Sequence, residues 1–304
     1  MLTVSDSFSP LPEFGHRIQQ AVMPIITRVD GEFTPLGTGF VIGADGLIMT
    51  AAHVIEEAYS RRVRRINSEG NPYDHYELYA LYVTDELNSK DKEEYFGGAW
   101  PIDRVWCTEE LDIGLCWLRS ATKGDEPVLF PVMSLSPGLP KPGENILGFG
   151  YYGMKAHTAQ HDSDNQIVVQ YSQETAFTRG QIVEVYPVAR DSGMLSFPCF
   201  HTDARFESGM SGGPIFNEAG NICGVICSAM PPVEDDPRYI SYGSLIWPAM
   251  GISIEATLHK GAPPEAVLVY DLVRGNYIAT DETIANISID LDPNGKRIVS
   301  IRGW

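Results

Sequence analysis

Short apolar runs separated by turn residues set the pattern of this chain. Ala21 to Arg28, Thr38 to Ile42 and Leu47 to Thr50 are each too short for a stable helix, and Asp45-Gly46 is a strong hairpin signal, so the opening third predicts antiparallel strands. Val54-Ile55-Glu56-Glu57-Ala58 interrupts them with a helical turn. Alternation from Tyr73 to Val83 predicts an added strand, and the run Asp85 to Glu94 an exposed charged loop. Trp100 to Trp106 and Leu111 to Leu118 read as two closely spaced strands. Leu135 to Lys141, with Pro137, Gly138 and Pro140, predicts a linker between two lobes. Beyond it, strands are expected at Asn145 to Tyr151, Ile167 to Tyr171, Thr178 to Val188, Phe197 to Thr202, Pro214 to Phe216, Ile222 to Ser228 and Tyr239 to Trp247, with residues 152 to 165 polar and irregular. A short helix from Pro263-Pro264-Glu265 and a hairpin joining Ile287–Leu291 to Arg297–Ile301 close the chain. The pattern is all-β, without internal repeats. It divides into a lead-in (1–20), a first lobe (21–135), a second lobe (142–250) and a C-terminal extension (251–304).

Composition narrows the class of partner. The 304 residues, 43% apolar with 29 glycines and 21 prolines, supply enough chain for a sizeable core and many turns. Lys+Arg 22 against Asp+Glu 40 leave a formal charge of −18, which repels phosphates, so neither nucleic acid nor an anionic membrane surface is an expected partner. Met1 to Pro10 lacks the basic stretch and apolar run of a secretory leader, and no run approaches the ~18 apolar residues of a membrane span. The cysteines (Cys107, Cys116, Cys199, Cys223 and Cys227) are odd in number, and reduced thiols in a cytoplasmic protein are the expectation. Cys223 and Cys227 have no histidine at ligand spacing. His157, His161, Asp162 and Asp164 lie in a polar stretch and read as exposed, so no metal is expected. Arg61, Arg62, Arg64 and Arg65 read as a solvated face rather than a dock for an acidic partner.

The chemistry gathers at Glu207-Ser208-Gly209-Met210-Ser211-Gly212-Gly213-Pro214. A serine hydroxyl is a poor nucleophile at neutral pH and needs a base to take its proton and donors to hold the oxyanion. The glycines open backbone conformations closed to other residues, and the amides of Gly209 and Ser211 are the natural oxyanion donors. Upstream, Thr50-Ala51-Ala52-His53 offers a base and Leu111-Asp112-Ile113-Gly114 a carboxylate. The order His53, Asp112, Ser211 is one in which such triads are built. With Gly37-Thr38-Gly39-Phe40 and Thr202-Asp203-Ala204, these motifs resemble the chymotrypsin/trypsin-like serine peptidases, particularly their bacterial HtrA-like branch, over residues 20 to 250. No PDZ-like module fits in what remains.

The resemblance implies two six-stranded antiparallel β-barrels of the chymotrypsin type, a short C-terminal helix and hairpin extension, and a cleft between the barrels. It also implies a serine endopeptidase that cuts a polypeptide substrate through an acyl-enzyme, without metal or organic cofactor. A catalytically silent peptide-binding scaffold and an esterase are the alternatives. Met210 stands where trypsin-like zymogens carry the aspartate that pairs with a newly cut N-terminus, so the loop is either preformed or ordered by what binds it, a regulatory protein partner included. The residue six before the nucleophile, at the base of the primary specificity pocket in this family, is Arg205. A guanidinium there excludes Lys and Arg side chains. If Arg205 points away, or Glu207 and Asp203 neutralise it, then Phe206, Cys227, Ser228 and Ser244 leave a modest, largely apolar pocket. Trp304 suggests docking onto the body or onto a partner.

Overall fold

The computed structural model describes residues 8–10, 17–66, 72–75, 77–83, 95–108, 110–119, 122–123, 126–161, 167–230, 239–256, 263–295 and 297–302. The first barrel is built from β1 (Val22–Val29), β2 (Glu32–Gly43), β3 (Leu47–Thr50), a helix α1 (Ala52–Ser60), β4 (Glu77–Val83), β5 (Tyr95–Thr108) and β6 (Ile113–Leu118). Its strands pair antiparallel in the order β1, β2, β3, β6, β5, β4 and back to β1, which leaves no edge in the ring. Asp45-Gly46 makes the predicted turn, with the Gly46 amide donating to Gly43 O at 2.9 Å. Val22, Met23, Ile25, Phe40, Ile42 and Ile48 are fully buried inside.

The second barrel uses β7 (Asn145–His161), β8 (Ile167–Tyr186), β9 (Cys199–Thr202), β10 (Pro214–Phe216), β11 (Ile222–Met230) and β12 (Ile240–Leu245). It closes in the order β7, β10, β11, β12, β9, β8 and back to β7, all antiparallel. Its interior is filled by Ile146, Ile182, Phe200, Met210, Ile215 and Leu245 among others.

Four sequence expectations are corrected. Residues 152 to 161 are not irregular: they continue β7, a strand of 17 residues. The two strands expected at 167 to 171 and 178 to 188 are one strand of 20. Register shifts between Tyr152 and Lys155 and between Ala156 and Thr158 insert bulges that scramble the period-2 pattern while the ladder runs on. The arm so formed carries Ile167–Tyr171 onto Tyr95–Ala99 of β5 and joins the two barrels in one sheet. The lead-in contains a strand, Phe8–Pro10, paired with Ala176–Thr178 of β8. Finally, Glu265–Leu268 is not the start of a helix. It is β14, paired with β13 (Ser253–Ala256), whose buried Ile254 and Ala256 need a ladder partner. The helix α2 (Val269–Arg274) begins after it, where the Asp271 carboxylate accepts the Leu268 N–H at 2.9 Å.

The C-terminal hairpin, β15 (Ile287–Leu291) and β16 (Arg297–Ile301), forms as the sequence indicates. The segment just before it clamps the interlobe linker. Leu135 N donates to Ala279 O at 2.9 Å, Asp281 N to Leu135 O at 2.9 Å, and Gly138 N to the Thr283 hydroxyl at 2.9 Å. Ile252, Leu272, Ile278, Ile287 and Ile301 of the extension share one apolar cluster with the first-barrel residues. Among the described residues no helix is long and apolar enough to cross a membrane. The expected charged loop at 85 to 94, Asp162, Asp164 and Trp304 lie outside the described residues.

Candidate active site

His53 is the second residue of α1, and Asp112 ends the turn into β6. Ala51 and Ala52 are buried without bulk, so the helix starts directly off β3. Gly114 lets β6 pass beneath it: a Cβ there would lie 2.4 Å from the Ile55 side chain. Asp112 takes a left-handed conformation, φ +44°, which aspartate tolerates better than most residues. Its carboxylate then receives three contacts from one residue. His53 Nδ1 lies 2.9 Å from Oδ1 and 3.1 Å from Oδ2, and the His53 amide donates to Oδ1 at 3.2 Å. The carboxylate holds the ring with its Nδ1 edge inward, the tautomer that leaves Nε2 free to accept a proton.

Charge around the ring is one-sided. Burial pulls the His53 pKa down, but the Asp112 hydrogen bond, aided by the negative charges of Asp112, Glu56 and Glu57, outweighs it. The net displacement is upward from 6.5. The imidazole is still 41% exposed at the side chain, so its outer edge stays open.

Ser211 sits on the loop between β9 and β10, and the first barrel holds that loop. Thr38 of β2 is fully buried and makes four bonds. Its amide donates to Ser211 O at 2.8 Å and its hydroxyl to Gly209 O at 2.9 Å. The hydroxyl also accepts from Tyr151 N at 3.1 Å, and its carbonyl accepts from the Thr50 hydroxyl at 2.6 Å. Gly212, at φ +84°, is obligatory: a Cβ would lie 2.1 Å from Thr38 O and 2.2 Å from the Thr50 hydroxyl.

The amides of Met210, Gly212 and Gly213 donate to Glu207 O (3.0 Å), Ile226 O (2.7 Å) and Met210 O (2.9 Å). Among the described residues, the amides of Gly209 and Ser211 donate to no acceptor, and the Ser211 hydroxyl makes no hydrogen bond. Met210 is fully buried in the second-barrel core, and its sulfur accepts the Glu207 N–H at 3.4 Å. A neutral anchor thus occupies the place before Ser211.

The residues expected around a specificity pocket separate. Cys227 and Ser228 line a cleft of about 370 Å³ together with His53, Glu56, Asp112 and Met194. Phe206 turns inward, its ring 2.5 Å from where a Gly148 Cβ would stand, and Ser244 is fully buried. Arg205 bonds Glu207 Oε1 through Nε at 2.5 Å and lies 5.4 Å over the Tyr239 ring. Three residues at the site drew no attention in the sequence. Glu56 follows His53 by three on a helix, a spacing that puts both on one face. Thr38 lay inside a glycine motif whose neighbours took the notice. Met194, 80% exposed on the cleft rim, has no sequence signal at all.

Comparison with known proteins gives the family of the chain. The family model described as a trypsin-like peptidase domain matches residues 37–225. Serine protease HTRA1 of Xenopus tropicalis and that of Xenopus laevis are each 26% identical over 191 residues, 62% of this chain and 30% of the relative. This chain therefore corresponds to under a third of their length. Similar solved structures include the apo MamO protease domain from Magnetospirillum magneticum (TM-score 0.48, 14% identity, 76% of this chain and 94% of that one). Rv3671c from M. tuberculosis H37Rv in an inactive form is another (TM-score 0.42, 17% identity, 75% and 83%). Since that match covers more than half of the chain, with His53, Asp112 and Ser211 inside it, the chain belongs to the trypsin-like peptidase family.

Proposed function

We propose that this protein is a serine endopeptidase in which Ser211 attacks the scissile carbonyl, His53 takes its proton and Asp112 orients the ring. The observation that carries this reading is the two-oxygen grip of Asp112 on His53 Nδ1, at 2.9 and 3.1 Å, beside an open cleft. That grip does two things for the reaction. It keeps Nε2 unprotonated for the attack, and it stabilises the imidazolium that forms before the proton passes to the leaving amine. The tetrahedral oxyanion is received by the amides of Gly209 and Ser211, each such donor being worth about 3 kcal/mol of barrier. Their lack of any other acceptor among the described residues supports the assignment. Every charge in the reaction is handled by protein groups, so the scheme calls for no metal or organic cofactor.

The buried Met210 supports a site that is complete without a new N-terminus, since a thioether cannot pair with an ammonium. Arg205 supports poor cleavage after Lys or Arg, and its pairing with Glu207 weakens any pull on an acidic side chain. Labelling by a fluorophosphonate, located on Ser211 by mass spectrometry, tests the nucleophile. Ser211→Ala and His53→Ala should each cost on the order of 10⁴ or more in casein hydrolysis with an unchanged circular dichroism spectrum. Undiminished turnover by Ser211→Ala overturns the reading.

A further inference from the structure

We propose that Thr38, a first-barrel residue with no part in the triad, is the positioning residue of the oxyanion site: its hydroxyl fixes the peptide that lies between the two free amides. The peptide from Gly209 to Met210 separates the Gly209 N–H from the Ser211 N–H. It is pinned from both sides. Its carbonyl accepts the Thr38 hydroxyl at 2.9 Å, and its N–H donates to Glu207 O at 3.0 Å. The next two peptides are fixed in turn, because Gly213 N donates to Met210 O at 2.9 Å and Ser211 O takes the Thr38 amide at 2.8 Å.

Remove the Thr38 hydroxyl and one of these restraints goes, while the neighbouring Tyr151 N–H loses its acceptor. The part-buried Gly209 carbonyl, left unbonded, gains by turning. A turn of that peptide, through ψ of Gly209 and φ of Met210, changes how the Gly209 and Ser211 N–H groups stand relative to one another and so spoils their convergence on the developing oxyanion. Thr38 cannot itself act on substrate, being fully buried at 0% exposure. Its hydroxyl also cannot be idle, since it gives its one proton to Gly209 O and takes one from Tyr151 N, which sets its rotamer.

The inference rests on Ser211 being the nucleophile, and one probe separates the two claims. In inactivation by a fluorophosphonate, the Ser211 Oγ–P bond forms as the P–F bond breaks, fluoride leaves, and His53 takes the hydroxyl proton. The phosphoryl oxygen develops its charge where an oxyanion would. Thr38→Val keeps the shape and loses the hydroxyl. Its maximal inactivation rate should fall about 100-fold, the loss typical of one misplaced donor, with the half-saturating concentration within about threefold of the parent. Thr38→Ser, which restores the hydroxyl, should recover the rate to within about fivefold. Thr50→Val removes an equally buried hydroxyl bonded to Thr38 O, and should lower the melting temperature while sparing the rate.

If Thr38→Val does not fold, Thr38→Cys, with a weaker donor of similar shape, gives the same reading at a loss of at least tenfold. A Thr38→Val or Thr38→Cys rate within threefold of the parent overturns the proposal, as does an equal loss in Thr50→Val. A parent protein that takes no label at Ser211 overturns the peptidase reading instead. Amide hydrogen exchange then still decides the positioning claim: residues 207–213 should exchange faster in Thr38→Val than in Thr50→Val, and equal exchange sinks it.

Discussion

The two barrels close by the same ring of six antiparallel strands, yet they hold their shares of the site in opposite ways. The first barrel is self-sufficient. His53 and Asp112 are bound to each other, one on α1 and the other on the turn into β6, with Gly114 packing β6 under the helix. The second barrel presents Ser211 on a loop that it cannot secure alone. That loop hangs on Thr38 across the interface, and Gly212 exists to let it approach. His53 and Asp112 are thus a local pair, whereas the placement of Ser211 and of the Gly209 and Ser211 amides is a product of docking. Damage should therefore differ in kind: at the His53–Asp112 pair it breaks chemistry without loosening structure, and at the docked loop it loosens structure and takes the chemistry with it.

The largest effect should come from the local pair. Asp112→Asn keeps the size of the side chain but offers an amide where the ring needs an acceptor, so His53 turns its proton toward the serine. Peptide hydrolysis should fall by about 10⁴. The melting temperature should move little, because the side chain is small and at the barrel rim. A variant within tenfold of the parent breaks the assignment of Asp112.

Met210→Asp tests the other half. Met210 packs in the second-barrel core, with Gly150 so close that a Cβ there would stand 2.8 Å from the Met210 Cβ. A carboxylate in that place would stand in the apolar cluster of Ile146, Ile182, Phe206 and Ile226. The unpaired charge should cost at least ~3 kcal/mol, lowering the melting temperature by roughly 5–10 °C. Fluorophosphonate labelling should fall with it even though His53, Asp112 and Ser211 are untouched. A melting temperature equal to the parent's removes the idea of an apolar anchor.

A smaller effect separates the charge of the pair from its geometry. The His53 pKa lies above 6.5 because Asp112, with Glu56 and Glu57, outweighs the effect of burial. Catalysis uses the neutral ring, so kcat/KM should rise with pH through a pKa above 6.5 and fall away below it. Stability runs the other way. A pKa raised on folding adds stability that is full below 6.5 and lost as pH climbs through the folded value. Activity and the His53 contribution to stability therefore trade over one pH window. Glu56→Gln, which removes one of the raising charges, should shift the acid limb downward. An acid limb at or below 6.5 in the parent contradicts the charge arrangement.

Much of this was legible in the chain, and the exceptions have physical causes. The strands beside His53 and Asp112, Leu47–Thr50 and Ile113–Leu118, are short runs of mostly apolar, buried residues that follow the Asp45-Gly46 turn and Asp112, so pattern and chemistry agreed. The β7–β8 arm was misread because bulges between Tyr152 and Thr158 shift the side-chain phase without ending the ladder. Glu265–Leu268 was misread because a strand of four residues after two prolines carries no period of its own, and its partner β13 lies across an unpatterned stretch. Thr38 sits in plain view, but its role arises from a contact with Gly209, 171 positions away, which no local pattern encodes. Glu56 shares a helix face with His53, and only the burial of that ring makes its charge matter. Phe206 lies near the right motifs, and only the packing of the second-barrel core decides that it faces inward.

The finest probe of the difference between the barrels is their thiols. Cys107 is exposed, while Cys116, Cys199, Cys223 and Cys227 are buried and free. Burial pushes the Cys199 and Cys223 thiols up to about 12, and Cys116 and Cys227 well above their ordinary range, so none is nucleophilic at neutral pH until its barrel opens. An aromatic disulfide reagent should therefore titrate one thiol in the native protein and five after denaturation. The buried four are divided unequally: Cys116 belongs to β6 of the first barrel, and the other three to β9 and β11 of the second. If the second barrel is the one that needs its partner, Met210→Asp should make Cys199, Cys223 and Cys227 react in a distinct faster phase, with Cys116 lagging, because local opening of one unit exposes only that unit's thiols. Asp112→Asn should show no such phase. A single rate for all four buried thiols in Met210→Asp would mean that the barrels open together, and that the arm joining Ile167–Tyr171 to β5 couples them more tightly than the division of the site suggests.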